Sequence, residues 1–211
     1  MSSGKHIETV SNVSLGTIES INHRASVRAF SPQRIDESTI NCLLAAAIRA
    51  PTAMHLEPWA FSIIQDTALL KRLSDLAKPI FVAEIQRLHP GKGSHLLNDF
   101  SRPGFNLFYN ANTLIIIWGK STAAFAAADC WLAAENLMLS ACSMGLGSCV
   151  IGSAVSALNN PEMKAEFGIP NDMQAIAPIV VGVADAPVTP SSRKAPHILS
   201  WIRGIDGGGS N

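Results

Sequence analysis

Arg24, Ser26 and Arg28 are the first residues of this chain whose types and spacing could do chemistry. They alternate within His23-Arg24-Ala25-Ser26-Val27-Arg28-Ala29-Phe30, and no acid follows until Asp36. In an extended segment alternate side chains share a face. Two guanidinium forks and a hydroxyl on one face suit a phosphate monoester, which arginine binds through paired hydrogen bonds. A solvated basic turn is the other reading of the same composition. A second stretch, Ala50-Pro51-Thr52-Ala53-Met54-His55-Leu56-Glu57-Pro58-Trp59, carries two prolines. Its stiffness suits holding backbone groups against a flat ligand. It would serve equally as a plain helix-to-strand connector with Trp59 capping the core.

Other chemistries find no support. The six histidines form no His-x-x-x-His pair and the four cysteines no Cys-x-x-Cys, so no metal site is expected. No Gly-x-Ser-x-Gly elbow marks a hydrolase. Gly145-Leu146-Gly147-Ser148-Cys149-Val150 lacks the third glycine of a dinucleotide fingerprint and follows a helix instead of a strand. Sixteen basic and sixteen acidic residues balance to zero, which argues for neither nucleic acid nor a membrane surface as partner. The cysteines read as free thiols in a reducing compartment, and the first residues lack the apolar core of a signal peptide. A cytoplasmic location is the expectation.

The elements that must position these residues centre on one helix. Ser121 and Thr122 offer a cap, an alanine- and leucine-rich run follows, and Gly145 can take the left-handed turn that ends a helix. Asp129, Asn136, Ser140 and Ser143 form one narrow polar stripe, and the rest is apolar, which requires burial on nearly all sides. The acids near its middle argue against a membrane span. With 47% hydrophobic and only 15% charged residues, the chain calls for a large buried subunit interface.

Around this rod, Thr17 to Asn22 reads as a short helix. Asp36 caps a second helix whose Ile40, Leu43, Leu44, Ala47 and Ile48 make one face. Ala60–Gln65 reads as a strand. Thr67 opens a helix that Pro79 ends, with Ile80 to Leu88 as a second piece, and residues 89–105 read as a long loop or lid. Thr113 to Trp118 and Ala175 to Ala184 read as buried strands. Asn160-Pro161 opens a helix closed by Gly168. This mixed order indicates an α+β fold: a central mixed or antiparallel sheet flanked by helices, with a long buried central helix at a dimer interface. One domain over 1–211 is expected, with a loose segment at 1–15 and a flexible tail at 204–211.

Three motifs in series then carry a resemblance. Arg24-Ala25-Ser26-Val27-Arg28-Ala29-Phe30, the Ala50–Trp59 stretch, and Asn136-Leu137-Met138-Leu139-Ser140-Ala141 followed by Gly145 to Gly152 resemble the nitroreductase family of flavoproteins. Order and spacing agree from about residue 17 to 203. The resemblance implies an α+β homodimer with FMN at the subunit interface. It implies that Arg24, Ala25, Ser26 and Arg28 hold the FMN phosphate and ribityl chain. Pro51, Thr52, Ala53, Met54 and His55 would lie along the flavin ring from the partner subunit. Val150, Ile151 and Gly152 would stand at the reactive edge, Ile151 and Gly152 through their backbone amides. Arg193 or Lys194 would close the phosphate site.

His55 and Glu57 stand where this family commonly has Asn and Gln, which makes His55 the flavin-edge candidate. Ala111-Asn112 replaces the usual Ala-Pro. The implied activity is transfer of electrons from NADH or NADPH through FMN to an electron-poor small molecule, a nitroaromatic or quinone, by a ping-pong mechanism. The other reading of the same resemblance is a flavin-binding carrier or sensor without efficient turnover.

Overall fold

The computed structural model describes residues 15–88, 97, 100, 102 and 104–203. Its centre is a four-stranded sheet of β1 (Trp59–Ile64), β2 (Thr113–Lys120), β3 (Gly147–Val150) and β4 (Met173–Gly182). The strands lie in the order β1-β2-β4-β3, and every pairing between them is antiparallel. The apolar run of β2 dictates its place: it is buried on both faces up to Gly119. Leu114, Ile116 and Trp118 enter one hydrophobic cluster while Ile115 and Ile117 enter the other. A strand of this kind is stable only with a layer packed on each side. Burying each such side chain contributes about 1.5–3 kcal/mol.

The helices supply those layers. On one face lie α2 (Glu37–Ala47) and α4 (Ala126–Ser143), through Ile40, Leu43, Ala47, Cys130, Ala134 and Leu137. On the other lies α3 (Thr67–Leu88), through Leu70, Leu73 and Ala77, with α5 (Val155–Leu158) and α6 (Pro161–Glu166) beside it. A short α1 (Thr17–His23) precedes the Arg24–Arg28 segment. Asp36 caps α2 by accepting the Thr39 amide at 2.7 Å, and Asn160 caps α6 by accepting that of Glu162 at 2.9 Å. Both caps follow from the residue types.

Several sequence expectations are corrected. Pro79 does not end α3, which is continuous from Thr67 to Leu88. An interior proline costs about 3 kcal/mol, and here both flanks of the helix are tied down. Leu73 and Ala77 are buried before Pro79, and Phe81 meets Phe100 with ring centroids 4.8 Å apart after it. Helix α4 begins at Ala126, not near Ser121, because β2 runs on to Lys120 and Asp172 O takes the Ser121 amide at 2.7 Å. Nor is α4 buried all round within one chain: Phe125 at its cap, Trp131 and Leu132 are 59, 45 and 47% exposed. Its polar stripe points inward, since Asp129 is buried and Asn136 Nδ2 donates to Ala46 O at 3.2 Å.

The glycine-rich stretch after α4 is a turn and an edge strand. Gly145 is left-handed (φ +74°), and the Leu146 amide returns to Ala141 O at 2.8 Å to close the helix. Most of the expected 89–105 loop, residues 1–14 of the expected loose segment and the 204–211 tail lie outside the described residues. Leu15 donates its amide to Ser143 O at 3.3 Å, and Phe105 continues a ladder of ring contacts from Phe100 to Tyr109.

Candidate functional site

The Arg24–Phe30 segment lies along the outer edge of β3. Ser26 forms an isolated parallel bridge with Ser148, and the Val27 amide donates to Ser148 O at 3.0 Å. A β-carbon on Gly147 would stand 2.7 Å from Val27 Cγ2, so this approach requires glycine. Val27 turns into the core, leaving Ser26 and Arg28 exposed on the opposite side, as alternation predicts, and Phe30 departs from the alternation by turning inward as well.

Arg24, at the C-cap of α1, is held differently. Its Nε lies 3.4 Å from Glu135 Oε1 of α4, which leaves the two terminal nitrogens for another acceptor. Both arginines act on Cys149: burial pushes this thiol up, and the charges of Arg28 and Arg24 and a hydrogen bond from Ser26 oppose the rise. The three side chains thus converge on the same edge of β3. A cleft of about 470 Å³ opens beside Arg24, lined also by Ala25, Cys142, Gly147, Ser148 and Ala186.

At its far end β3 leaves the sheet for a chemical reason. The Ile151 amide donates to Pro178 O at 2.8 Å, but Pro178 has no N–H to return the bond. Ile151 O instead accepts the Ala154 amide at 3.0 Å, and Gly152–Ala154 coils into a 3₁₀ turn. This narrows the sequence expectation for Ile151 and Gly152, because the Ile151 amide is committed to the sheet. Gly152 is exposed, and the space where its β-carbon would be is open for at least 4 Å.

The Pro51–Pro58 stretch sits elsewhere, over the first half of α4. Met54, His55 and Glu57 have φ of 56°, 54° and 44°, a left-handed conformation that costs non-glycine residues of order 1–3 kcal/mol each. The turn is pinned by Asp129, whose Oδ1 and Oδ2 accept the Ala53 amide at 3.2 and 3.3 Å. Pro51 is exposed, Thr52 and Ala53 are half-buried, and the side chains of Met54 and His55 are exposed. Among the described residues no hydrogen bond or ion pair joins this turn to the Arg24–Arg28 edge. One chain therefore carries two candidate half-sites with no bond between them.

Arg193 and Lys194 lie in a segment after Asp185 that is exposed throughout, and Arg193 bonds to Ser191 Oγ and Ser192 O of that same segment. A wall that the sequence did not disclose adjoins Arg28. Asn106, Tyr109, Asn110 and Asp185 line a recess of about 310 Å³ there. The turn carrying this wall is fastened to α3, where Lys78 Nζ donates to Phe105 O and Ser74 Oγ accepts the Leu107 amide, both at 2.9 Å. Among the described residues no group of three or more His, Cys, Asp or Glu side chains is placed to hold a metal ion. Nor is any helix among them long and apolar enough to cross a membrane.

The fold and site define an α+β protein with an arginine-bearing segment along its sheet edge and an exposed glycine beyond the end of the same strand. Residues 21–183 match the nitroreductase family, and the chain belongs to that family. Among solved structures it is similar to a nitroreductase with bound FMN from Bacteroides fragilis. That pair is 28% identical, covers 89% of this chain and 98% of the other, and has a TM-score of 0.75. An FMN-dependent nitroreductase from Clostridium difficile shares the fold at 24% identity and a TM-score of 0.70, over 88% of this chain and 98% of that one. An FMN reductase (NADPH) of Bacillus subtilis is 27% identical over 157 residues, 68% of this chain and 56% of that relative. The chain thus spans about half the length of that relative.

Proposed function

We propose that this protein is an FMN-dependent oxidoreductase that takes electrons from NADH or NADPH and passes them to an electron-poor small molecule. The observation that carries the reading is the β3 edge, where one segment bridged to Ser148 carries Ser26, Arg28 and the terminal nitrogens of Arg24, with Gly152 exposed beyond the end of the same strand. The donor set fits a terminal phosphate monoester, and among the described residues Arg28 has no ion pair of its own. When bound, FMN supplies hydride acceptance from the nicotinamide and its return to a nitroaromatic, quinone or similar acceptor in a ping-pong sequence.

Each residue then has a task. Arg24 and Arg28 neutralise the phosphate, Ser26 adds a hydroxyl donor, and Glu135 orients Arg24 by occupying its Nε. Val150 and Ile151 hold the end of β3 while Gly152 offers its N–H to the ring. Pro51 to His55 wall off the ring from water, with His55 placed to hydrogen-bond its edge. Arg193 or Lys194 would complete the phosphate site.

The separation of the half-sites supports a homodimer in which one protomer's turn serves its partner's FMN. So does the apolar surface left by Trp131 and Leu132 on α4 and by Leu199, Trp201 and Ile202, which are 89, 70 and 92% exposed. We read the chain as a single nitroreductase-like domain acting on small molecules in the cytoplasm, with neither nucleic acid nor membrane as partner.

The test is to purify the protein, measure FMN per chain, and add NADH or NADPH without oxygen. About one FMN per chain, bleached by a nicotinamide and restored by a quinone, is the expected result. Flavin that binds but resists both nicotinamides would select the carrier or sensor reading. Protein that takes up no FMN would overturn both.

A further inference from the structure

Asp129 is a buried carboxylate that the proposed chemistry leaves without a task. It is 4% exposed in the first turn of α4, where the other buried residues nearby are Ala126, Cys130 and Ala133. Its negative charge and the burial around it together push the adjacent Cys130 thiol up to about 11, with burial the larger cause. A carboxylate has about four acceptor positions, yet both Asp129 oxygens share one donor, the Ala53 N–H. Its place in the first turn of α4 favours a negative charge, yet a buried carboxylate with a single donor is a poor way to stabilise a fold. Alanine would fill an alanine-rich helix at lower cost.

What Asp129 holds is the informative part. Ala53 opens the 3₁₀ turn Ala53–His55, and the next two residues, Met54 and His55, are left-handed without being glycine. Such a conformation persists only where the surroundings over-determine it. The turn's own bonds are few: the His55 amide reaches Thr52 O at 3.4 Å and the Leu56 amide reaches Ala53 O at 3.2 Å. The one long-range hydrogen bond fixing it among the described residues comes from Asp129, 76 positions away in the chain.

We propose that Asp129 is a positioning residue: by accepting the Ala53 N–H it locks the Pro51–Glu57 turn in the strained shape that presents His55 to the flavin. This rests on the reading that the turn lines an FMN site. The neutral carbonyl of an asparagine can accept the same N–H, so Asp129→Asn keeps the anchor, whereas Asp129→Ala removes it.

The test combines a readout that needs no flavin with one that does. In the apo protein, amide exchange at residues 53–57 should accelerate about ten- to hundredfold in Asp129→Ala, the range for losing a charge-assisted hydrogen bond. Exchange in β2 and β4 should stay as in wild type, and Asp129→Asn should remain close to wild type throughout. In the holo protein, Asp129→Ala should keep FMN on the Arg24–Arg28 edge. Its visible circular dichroism should change and the KM for the acceptor should rise, and Asp129→Asn should rescue both. If Asp129→Ala does not fold, Asp129→Ser serves in its place. Unchanged exchange at 53–57 overturns the proposal, as does an Asp129→Asn as impaired as the alanine variant. Faster exchange with an unaltered flavin spectrum would place the turn away from the flavin and overturn it too. Wild-type protein that binds no FMN would refute the functional reading instead, and the exchange measurement would still decide whether Asp129 anchors the turn.

Discussion

Gly147→Ala offers a direct test of how the proposed phosphate-binding edge is built. The added β-carbon would lie 2.7 Å from Val27 Cγ2 and 2.9 Å from both Val27 Cβ and Cγ1. All three contacts are shorter than real side chains tolerate, and Val27 is buried, so the strand carrying Ser26 and Arg28 must move outward. Overpacking of this kind costs about 1–3 kcal/mol. Loss of glycine's freedom in the unfolded chain offsets about 0.4–1 kcal/mol of it. A net destabilisation of about 1–2 kcal/mol is expected in urea unfolding. Val27→Ala alone removes buried methyl groups and costs about 1–2 kcal/mol. Together the two should cost less than their sum, by about 1 kcal/mol, because the γ-carbons that clash are gone. Val27 Cβ remains at 2.9 Å, so the rescue is partial. FMN affinity should fall in Gly147→Ala and recover in part in the double variant. A Leu43→Ala control, fully buried in the hydrophobic cluster on the other face of the sheet, should leave it unchanged. Strict additivity, or a Gly147→Ala protein as stable and as avid as wild type, would refute the reasoning.

Other measurements probe separate parts of the structure. Arg28→Ala should weaken FMN binding by about 1.5–3 kcal/mol, the range for a charge-assisted hydrogen bond, read by flavin fluorescence titration. Hydrogen bonds from Lys71 and then Lys78 hold the Asp75 carboxyl down at about 2, from 3.8. The folded form is the stronger acid there, so this contribution is present above the ordinary carboxylate range and fades as pH falls from about 4 to about 2. Asp75→Asn should flatten that step in a stability–pH series. Truncation after Asp185 should remove Leu199, Trp201 and Ile202 and turn the proposed dimer into monomer in sedimentation, and an unaltered dimer would reject the arm as an interface element. His55→Asn should shift the flavin midpoint potential, and an unchanged potential would place His55 away from the ring.

What the sequence disclosed was what local chemistry decides. Asp36 and Asn160 announced their helices, and the Leu-Ile-Ile-Ile run of β2 required cover on both faces. The alternation of Ser26 and Arg28 is realised on the β3 edge. Tertiary relations stayed hidden. Pro79 reads as a terminator unless packing on both sides of it is known. The stripe of Asp129 and Asn136 has no direction in the sequence, and only the positions of α2 and the Pro51–Pro58 turn reveal that it points inward. The Asn106–Asn110 wall has no periodicity, because it is shaped by Lys78 and Ser74 from a helix some thirty positions earlier. The resemblance supplied roles for residues, and the structure narrowed one of them by committing the Ile151 amide to Pro178.

Helix α4 holds one anchor for each half-site, Asp129 for the turn and Glu135 for Arg24. The helix therefore works as a gauge. Six residues separate the anchors by about 9 Å along the axis, and each further residue would swing the second anchor by about 100°. An insertion or deletion between them would release one half-site whichever way the rod re-seated. Substitutions there can be absorbed singly, but a change of length cannot. In a chimera with another protein of this fold, positions 129 to 135 must travel as one block, and any lengthening of the rod belongs outside them.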